Sequence, residues 1–378
     1  MYTRILKKQI YEKFFSGKAI IIAGARQTGK TTLSMDLLQE SGEGHYKVFN
    51  CDNPSDREML TDKNLEFLKQ LVGDSKVVLI DEGQKVTTIG QTVKLLVDFY
   101  KKEKQVVVTG SSSLNLLDQT HEPLTGRKYV YTLYPLSLEE IYPDRDVLTM
   151  TKELEGLLVF GSYPEVVTQK SFEAKAELLR ELQSSYLYKD VLEFQAVRNS
   201  DKIMKLVRAL ALQVGSEVSC TELSSLIGID KKTVEHYIDV LEKSFVVFTL
   251  APYAKNKRRE ISKLKKVYFH DLGIRNAVIN NFNFLENRGD TGILWENFLM
   301  TERLKYRQHH HLHANSYFWR TYDGSEVDLV EELEGKLNGY EFKWKEKRRK
   351  TGGPAKWLEY PGSSFQIVTT QNLQNFLF

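Results

Sequence analysis

The sequence predicts an α/β protein of more than one domain, on three observations. Over the first 140 residues short β-branched apolar segments alternate with helical ones, the pattern of a parallel sheet covered by helices. Near residue 220 two helical segments flank a glycine and run into an apolar strand. The last hundred residues return to strands, and these carry acidic side chains. A chain of 378 residues also exceeds what one core usually holds. Hydrophobic residues at 41% and charged residues at 27% describe an ordinary soluble protein and exclude a disordered or low-complexity one.

The first element is carried by GKAIIIAGARQTGKTTL, residues 17–33. Ala19 to Ala23 is too short and too β-branched for a comfortable helix, so it reads as a buried strand. It runs into G-x-x-x-x-G-K-[ST], filled by Gly24, Gly29, Lys30 and Thr31, and the following TTLSMDLLQE is helical in pattern. Strand, loop and helix together are the setting of a phosphate-binding loop. Gly24, Ala25, Arg26, Gln27, Thr28, Gly29, Lys30, Thr31 and Thr32 are therefore the candidate cradle for ATP. Backbone N–H groups would wrap the β-phosphate, Lys30 would reach the β and γ oxygens, and the Thr31 hydroxyl would ligate Mg²⁺.

Such a loop needs a second strand ending in an acid, and KVVLIDEGQK (76–85) supplies it. Asp81 is the candidate Mg²⁺ ligand, and Glu82 the candidate base that polarises the attacking water. KQVVVTGSSS (104–113) ends in hydroxyl residues; Ser111, with Thr109 close behind, is placed to sense the γ-phosphate, or else to cap a helix. Residues 18–23, 46–50, 76–81, 105–109 and 128–133 make five expected strands of one parallel sheet.

The loop-bearing strand first, the Asp-Glu strand third and the hydroxyl-ended strand fourth resemble the AAA-type P-loop ATPases. PLTGRKYVYTLYPLSLEEI (123–141) is similar to a segment of prokaryotic AAA-type ATPases whose C-terminal half is catalogued as a domain of unknown function. That resemblance implies an ATP hydrolase. It also makes Arg127 an arginine finger or γ-phosphate contact, in cis or from a neighbouring copy in a homo-oligomer. A surface arginine paired with a carboxylate is the alternative.

Beyond residue 141 the pattern turns helical, and GSYPEVV (161–167) and YLYKDV (186–191) also resemble that family. A helical lid is the expectation. In 217–250 a helix over 220–227 ends at Gly228, Asp230 caps a second helix running to about Lys243, and an apolar strand follows. This is the pattern of a helix-turn-helix with a β wing. Its second helix exposes Lys231, Lys232, Glu235 and His236, a mixed charge that suits packing on a protein as well as DNA.

In the last hundred residues, GILWENFLMTERL (292–304) puts Glu296 on an amphipathic helix. YFWRTYDGSEVDLVEE (317–332) reads as two strands about a turn at Asp323-Gly324, with Asp328 in the second. LNGYEFKWK (337–345) then carries Glu341 and Lys343, two apart and so on one face of a strand. Two strand carboxylates, a third from the helix and a lysine suit a divalent metal and a scissile phosphate. The order helix acid, strand Asp, strand E-x-K resembles the PD-(D/E)xK, restriction-endonuclease-like fold, although no proline precedes Asp328 and a basic loop follows Lys343. The resemblance makes Glu296, Asp328, Glu341 and Lys343 a candidate second metal site. QHHHLH (308–313) lacks the spacing of a metal site and reads as a solvated turn.

The expected order is an AAA-type domain over 1–140, a helical lid over 141–210, a winged helix over 211–255 and a nuclease-like domain over 256–378. The net charge of +3 leaves any DNA partner to the basic clusters 255–266 and 343–350. A protein partner is the alternative, with nucleotide state positioning a nuclease fold that does not cut, and a sequence-reading regulator is a third reading. No run approaches the roughly 20 apolar residues of a membrane span, the N-terminus lacks a signal-peptide core, and Cys51 and Cys220 are isolated. A cytoplasmic protein without a membrane partner is expected.

Overall fold

The computed structural model of the chain describes residues 2–41, 45–111, 124–144, 147–192, 200–254, 264–345 and 352–378. It divides into two compact units, residues 1–136 with 243–245 and residues 137–242 with 246–378.

The first unit is an α/β sandwich around a five-stranded sheet. Its strands are β1 (Ala19–Ala23), β2 (Tyr46–Asn50), β3 (Val77–Asp81), β4 (Gln105–Gly110) and β5 (Lys128–Thr132). Each lies within one residue of its expected limits. The order is β2-β3-β4-β1-β5, and every neighbouring pair is parallel. The helices are α1 (Leu6–Tyr11), α2 (Lys30–Glu40), α3 (Pro54–Leu60), α4 (Leu65–Val72) and α5 (Ile89–Tyr100).

The period-two pleat explains the two apolar layers. Ile20, Ile22, Leu79 and Val107 face one side and pack with Leu6, Ile10, Leu33 and Leu37 of α1 and α2. Ile21, Val78, Ile80 and Val108 face the other and pack with Leu68, Val93 and Leu96 of α4 and α5. Burial on both faces is why the central strands carry apolar residues at consecutive positions, in β3 and β4 before a polar carboxyl end, each such apolar side chain contributing roughly 2 kcal/mol. Because β3, β4 and β1 are adjacent and parallel, their carboxyl ends open at one place.

The second unit opens with six helical segments: α6 (Leu138–Ile141), α7 (Val147–Phe160), α8 (Pro164–Thr168), α9 (Phe172–Leu192), α10 (Ser200–Leu212) and, after β6 (Glu217–Val218), α11 (Cys220–Ile227). It continues with α12 (Lys231–Lys243), β7 (Val247–Pro252), β8 (Lys265–Phe269), α13 (Leu272–Val278) and α14 (Thr291–His309). The chain closes with β9 (Asn315–Arg320), β10 (Glu326–Leu333), β11 (Lys336–Phe342), α15 (Ala355–Leu358), β12 (Ser363–Val368) and α16 (Leu373–Leu377). Ser137 and Glu140 close a capping box on α6, and Asp230 accepts the Thr233 N–H at 2.9 Å as the cap expected for α12.

The seven strands form one sheet, β12-β11-β10-β9-β7-β8-β6. β7 pairs in parallel with β9 through Ala251 to Tyr317 and Pro252 to Phe318. The described strands on either side of the boundary expected at residue 255 belong to one sheet. Local pattern fixes where β7 begins; its pairing with a strand some 65 positions on is a tertiary matter.

The GSYP segment acquires a structural role. The Asp271 carboxylate accepts from Ser162 N at 2.8 Å and from Ile274 N at 3.1 Å, so one side chain caps α13 and holds the turn after α7. Asn276 Nδ2 donates to the Leu158 and Val159 carbonyls at 3.1 and 2.8 Å. The YLYKDV side chains lie outside the described residues, as do most of the two basic clusters.

Candidate nucleotide site and candidate metal centre

The phosphate loop lies where β1 meets α2. At Gly24 an added Cβ would stand 2.3 Å from the Leu133 carbonyl oxygen, so only glycine lets the loop pass β5's exit. Gly29 caps α2 with φ at 93°, a left-handed turn that aims the first helical N–H groups into the loop. Lys30 is buried, its ammonium donating to the carbonyls of Gly24 at 2.9 Å and Ala25 at 2.8 Å. Thr28 Oγ1 also donates to the Ala25 carbonyl, at 2.9 Å. Gln27, Thr31 and Thr32 are exposed and Arg26 is half-buried.

Across from the loop, Asp81 ends β3. Its carboxylate accepts the Thr31 hydroxyl at 3.0 and 3.2 Å, and the Thr109 hydroxyl of β4 on the Thr31-facing Oδ1. A helix hydroxyl and a strand carboxylate at one point are an oxygen donor set that fits Mg²⁺. Glu82 follows with φ at 53°, a left-handed conformation uncommon for a branched-off side chain and typical of functional turns. Glu82 N donates to Thr109 Oγ1 at 3.2 Å, which anchors that turn to β4.

Two residues were not legible in advance. Gln84 Nε2 donates to Glu82 Oε2 at 2.5 Å and to Ser111 Oγ at 3.0 Å, joining the candidate base to the candidate sensor. Its signal in the sequence is only a polar residue two beyond Glu82. Arg4 donates to the Thr28 carbonyl at 2.7 Å and to the Tyr134 carbonyl at 2.6 Å, tying the loop to the exit of β5. No motif precedes it. Cys51, fully buried at the end of β2, is pushed up to about 12 by burial and then by the carboxylates of Asp56, Asp81 and Glu82, so it is a neutral thiol.

Arg127 is elsewhere. It precedes β5, whose Lys128 pairs with Ala19, so it sits at the amino end of the sheet and Gly24 at the carboxyl end. Four strand steps, roughly 13 Å, separate those ends. Arg127 is instead paired with Asp98 on α5, both half-exposed. The cis γ-phosphate contact is thereby corrected: parallel pairing places this arginine on the far edge of its own unit.

In the second unit Glu296, Asp328, Glu341 and Lys343 come close enough to act on one another's charge, but in a different arrangement from the expected ligand set. Lys343 pairs with Glu341 at 2.7 Å. Asp328 is buried at an irregularity where β10 gains a residue against β9 between Val327 and Val330, and its Oδ2 accepts the Phe342 N–H at 2.7 Å. Lys266 of β8, the last residue of the basic cluster expected to meet DNA, is instead buried between Glu296 at 3.2 Å and Glu326 at 2.5 Å. Tyr268 donates to the same Glu296 oxygen at 2.8 Å.

Burial, then the neighbouring Glu296 carboxylate, pushes Asp328 up to about 7 against the opposing pull of Lys266. Burial alone would lower Lys266, yet Glu296, Asp328 and Glu326 together raise it to about 12. Among the described residues no group of three or more His, Cys, Asp or Glu is gathered to hold a metal. The expected solvated turn holds at His310, His311 and His313, which are exposed beyond the end of α14, while His309 is buried. His309 ends α14 with its side chain 4% exposed beside Glu139, and His310 meets Glu139 at 3.0 Å. The acids of α6, distant in sequence, draw His309 in.

A family model described as an AAA domain matches residues 16–142. Two models described as domains of unknown function, DUF8612 and DUF4143, match residues 151–284 and 291–376. The AAA-type character expected of the first unit is thus borne out. A protein of Mycobacterium tuberculosis described as uncharacterized is 26% identical over 326 residues, spanning 86% of this chain and 70% of its own. Another, from Methanocaldococcus jannaschii, is 23% identical over 328 residues, spanning 80% and 74%. Among solved structures, AMPPCP-bound DnaA from Aquifex aeolicus is similar at 19% identity and a TM-score of 0.30, covering 63% of this chain and 86% of that one. Drosophila ORC bound to AT-rich DNA and Cdc6 is similar at 9% identity and 0.27, covering 73% and 90%. At those scores neither superposition establishes a shared architecture. Among the described residues no helix is long and apolar enough to cross a membrane.

Proposed function

We propose that the chain is a Mg²⁺-dependent ATP hydrolase of AAA type. One observation carries this reading: Lys30, Thr31, Asp81, Glu82 and Ser111 converge at the carboxyl ends of three adjacent parallel strands. Lys30 would leave the Gly24 and Ala25 carbonyls for the β and γ phosphate oxygens, exchanging two carbonyl dipoles for full negative charge. Thr31 and Asp81 would hold the Mg²⁺, which supplies charge neutralisation along the triphosphate. Glu82 would accept the proton of a water attacking the γ-phosphorus, and Ser111 would contact the γ-phosphate, while ADP departs. Arg127, remote from its own loop, would serve the loop of a neighbouring copy, so a homo-oligomer belongs to the same proposal.

For the second unit we infer a helical lid (141–210), a winged helix (211–255) and a nuclease-like fold (256–378) that together bind a partner according to nucleotide state. DNA is the partner proposed, in the cytoplasm, and a protein is the alternative that the mixed charge of α12 supports, with Lys231 and Glu235 paired at 3.6 Å on its exposed face.

Two variants test the hydrolase. Lys30→Ala abolishes tight ATP binding, whereas Glu82→Gln keeps binding and lowers turnover by roughly 10² or more. ATP affinity and steady-state turnover of both are the measurements. Parent-like ATP binding by Lys30→Ala overturns the loop assignment.

A further inference from the structure

We propose that the ammonium of Lys266 is the resident cation of the acidic centre in the second unit, held where a divalent ion would have to bind, so that this centre does not take a metal. The inference is independent of ATP hydrolysis in the first unit. It starts from charge. Glu296 from α14 and Glu326 and Asp328 from β10 bring three carboxyl groups around one point, Asp328 buried and the two glutamates part-exposed, and such a set needs a cation. Lys266 is that cation: its side chain is 3% exposed, in contact with Glu296 and Glu326. The Phe318 ring centroid lies 5.4 Å from the ammonium, within cation–π range.

One oxygen each of Glu296 and Asp328, and the Glu341 carboxylate, are already committed to other partners. Glu296 Oε1 takes both Lys266 and the Tyr268 hydroxyl, Asp328 Oδ2 takes the Phe342 N–H, and Glu341 is drawn off by Lys343. Mg²⁺ or Mn²⁺ requires about six oxygens in near-octahedral array and keeps several waters. Admitting one would set two cations against each other in a buried site, or expel a lysine whose carboxylate partners lie there. The sheet sets the backbone position of Lys266. The residue lies within β8, paired with Leu250 on β7 and Glu217 on β6, so its backbone is held by strands on both sides. The centre thereby joins β8 and β10, across the sheet, by charge rather than by metal.

The test is a Mn²⁺ titration followed by electron paramagnetic resonance, without nucleotide, on the full chain carrying Asp81→Asn so that the candidate Mg²⁺ position of the first unit lacks its carboxylate. This protein binds no Mn²⁺ in the second unit up to millimolar concentrations, and its thermal midpoint is unmoved by Mn²⁺. Adding Lys266→Met creates one saturable Mn²⁺ site, which Asp328→Asn then removes. A Mn²⁺ site already present with Lys266 in place, and lost on Asp328→Asn, overturns the proposal. So does a folded Lys266→Met protein that still binds no Mn²⁺. If Lys266→Met does not fold alone, refolding with Mn²⁺ decides: recovery supports the proposal, and failure with and without Mn²⁺ overturns it.

Discussion

Gln84 shows how much one side-chain amide contributes to the nucleotide site. A carboxylate at the end of a left-handed turn has free rotation about its own bonds, and a base must be held within hydrogen-bond reach of its water. The Gln84 amide restricts Glu82 from one side and fixes the Ser111 hydroxyl from the other, while its own carbonyl oxygen is buried without a partner among the described residues. Gln84→Ala therefore lowers kcat roughly 10-fold and leaves ATP affinity within about 2-fold, because the loop and the Mg²⁺ ligands are untouched. Steady-state kinetics with a separate nucleotide-binding measurement check this, and an equal loss in both would reassign Gln84 to binding. Arg4 reaches the same loop through the Thr28 backbone carbonyl, so its removal is expected to act through loop position.

At the scale of elements, β8 and β10 carry buried titrating groups whose effects on stability oppose each other. His270, just beyond β8, is fully buried; burial first and Lys305 second depress it from 6.5 to about 3. Its contribution is complete above about 6.5 and is lost as pH falls toward 3, since the unfolded chain then binds the extra proton. Asp328 on β10 is raised from 3.8 to about 7, so its contribution is complete below 3.8 and is lost as pH rises toward 7. Between those limits the two slopes offset one another. Relative to the parent, His270→Gln gains stability on acidification from pH ~7 to ~5, and Asp328→Asn loses it. Urea midpoints across that range check both signs, and parent-like slopes in the two variants would refute the burial of these groups as the cause. Legibility differed between the same elements. The strand limits follow from β-branched runs bounded by polar turns, whereas the lysine facing Glu296 follows only from α14 packing against β8.

For the whole molecule, the formal charge of +3 is too small to attract nucleic acid at long range, so the proposed DNA binding would rest on the clusters at 255–266, apart from the buried Lys266, and 343–350. Binding that is measurable at about 50 mM salt and falls steeply by about 200 mM is the expected result, and its absence at the lower salt favours a protein partner. Fluorescence anisotropy with a duplex checks it. The sequence by itself determined the five parallel strands, the loop from Gly24 to Thr31 and the Asp81-Glu82 pair, because each depends on residues adjacent in the chain. Short-range sterics and apolar periodicity encode such features directly. Only the tertiary structure decided that Arg127 faces away from its own loop, that Gln84 and Arg4 serve the site, and that β7 and β9 fuse two expected domains into one sheet. It likewise decided that Lys266 stands among the C-terminal acids, since it reaches Glu296 and Glu326 across 30 and 60 positions of chain. Contacts of that kind arise from strand order and the need to neutralise buried charge, and neither is written in any local pattern.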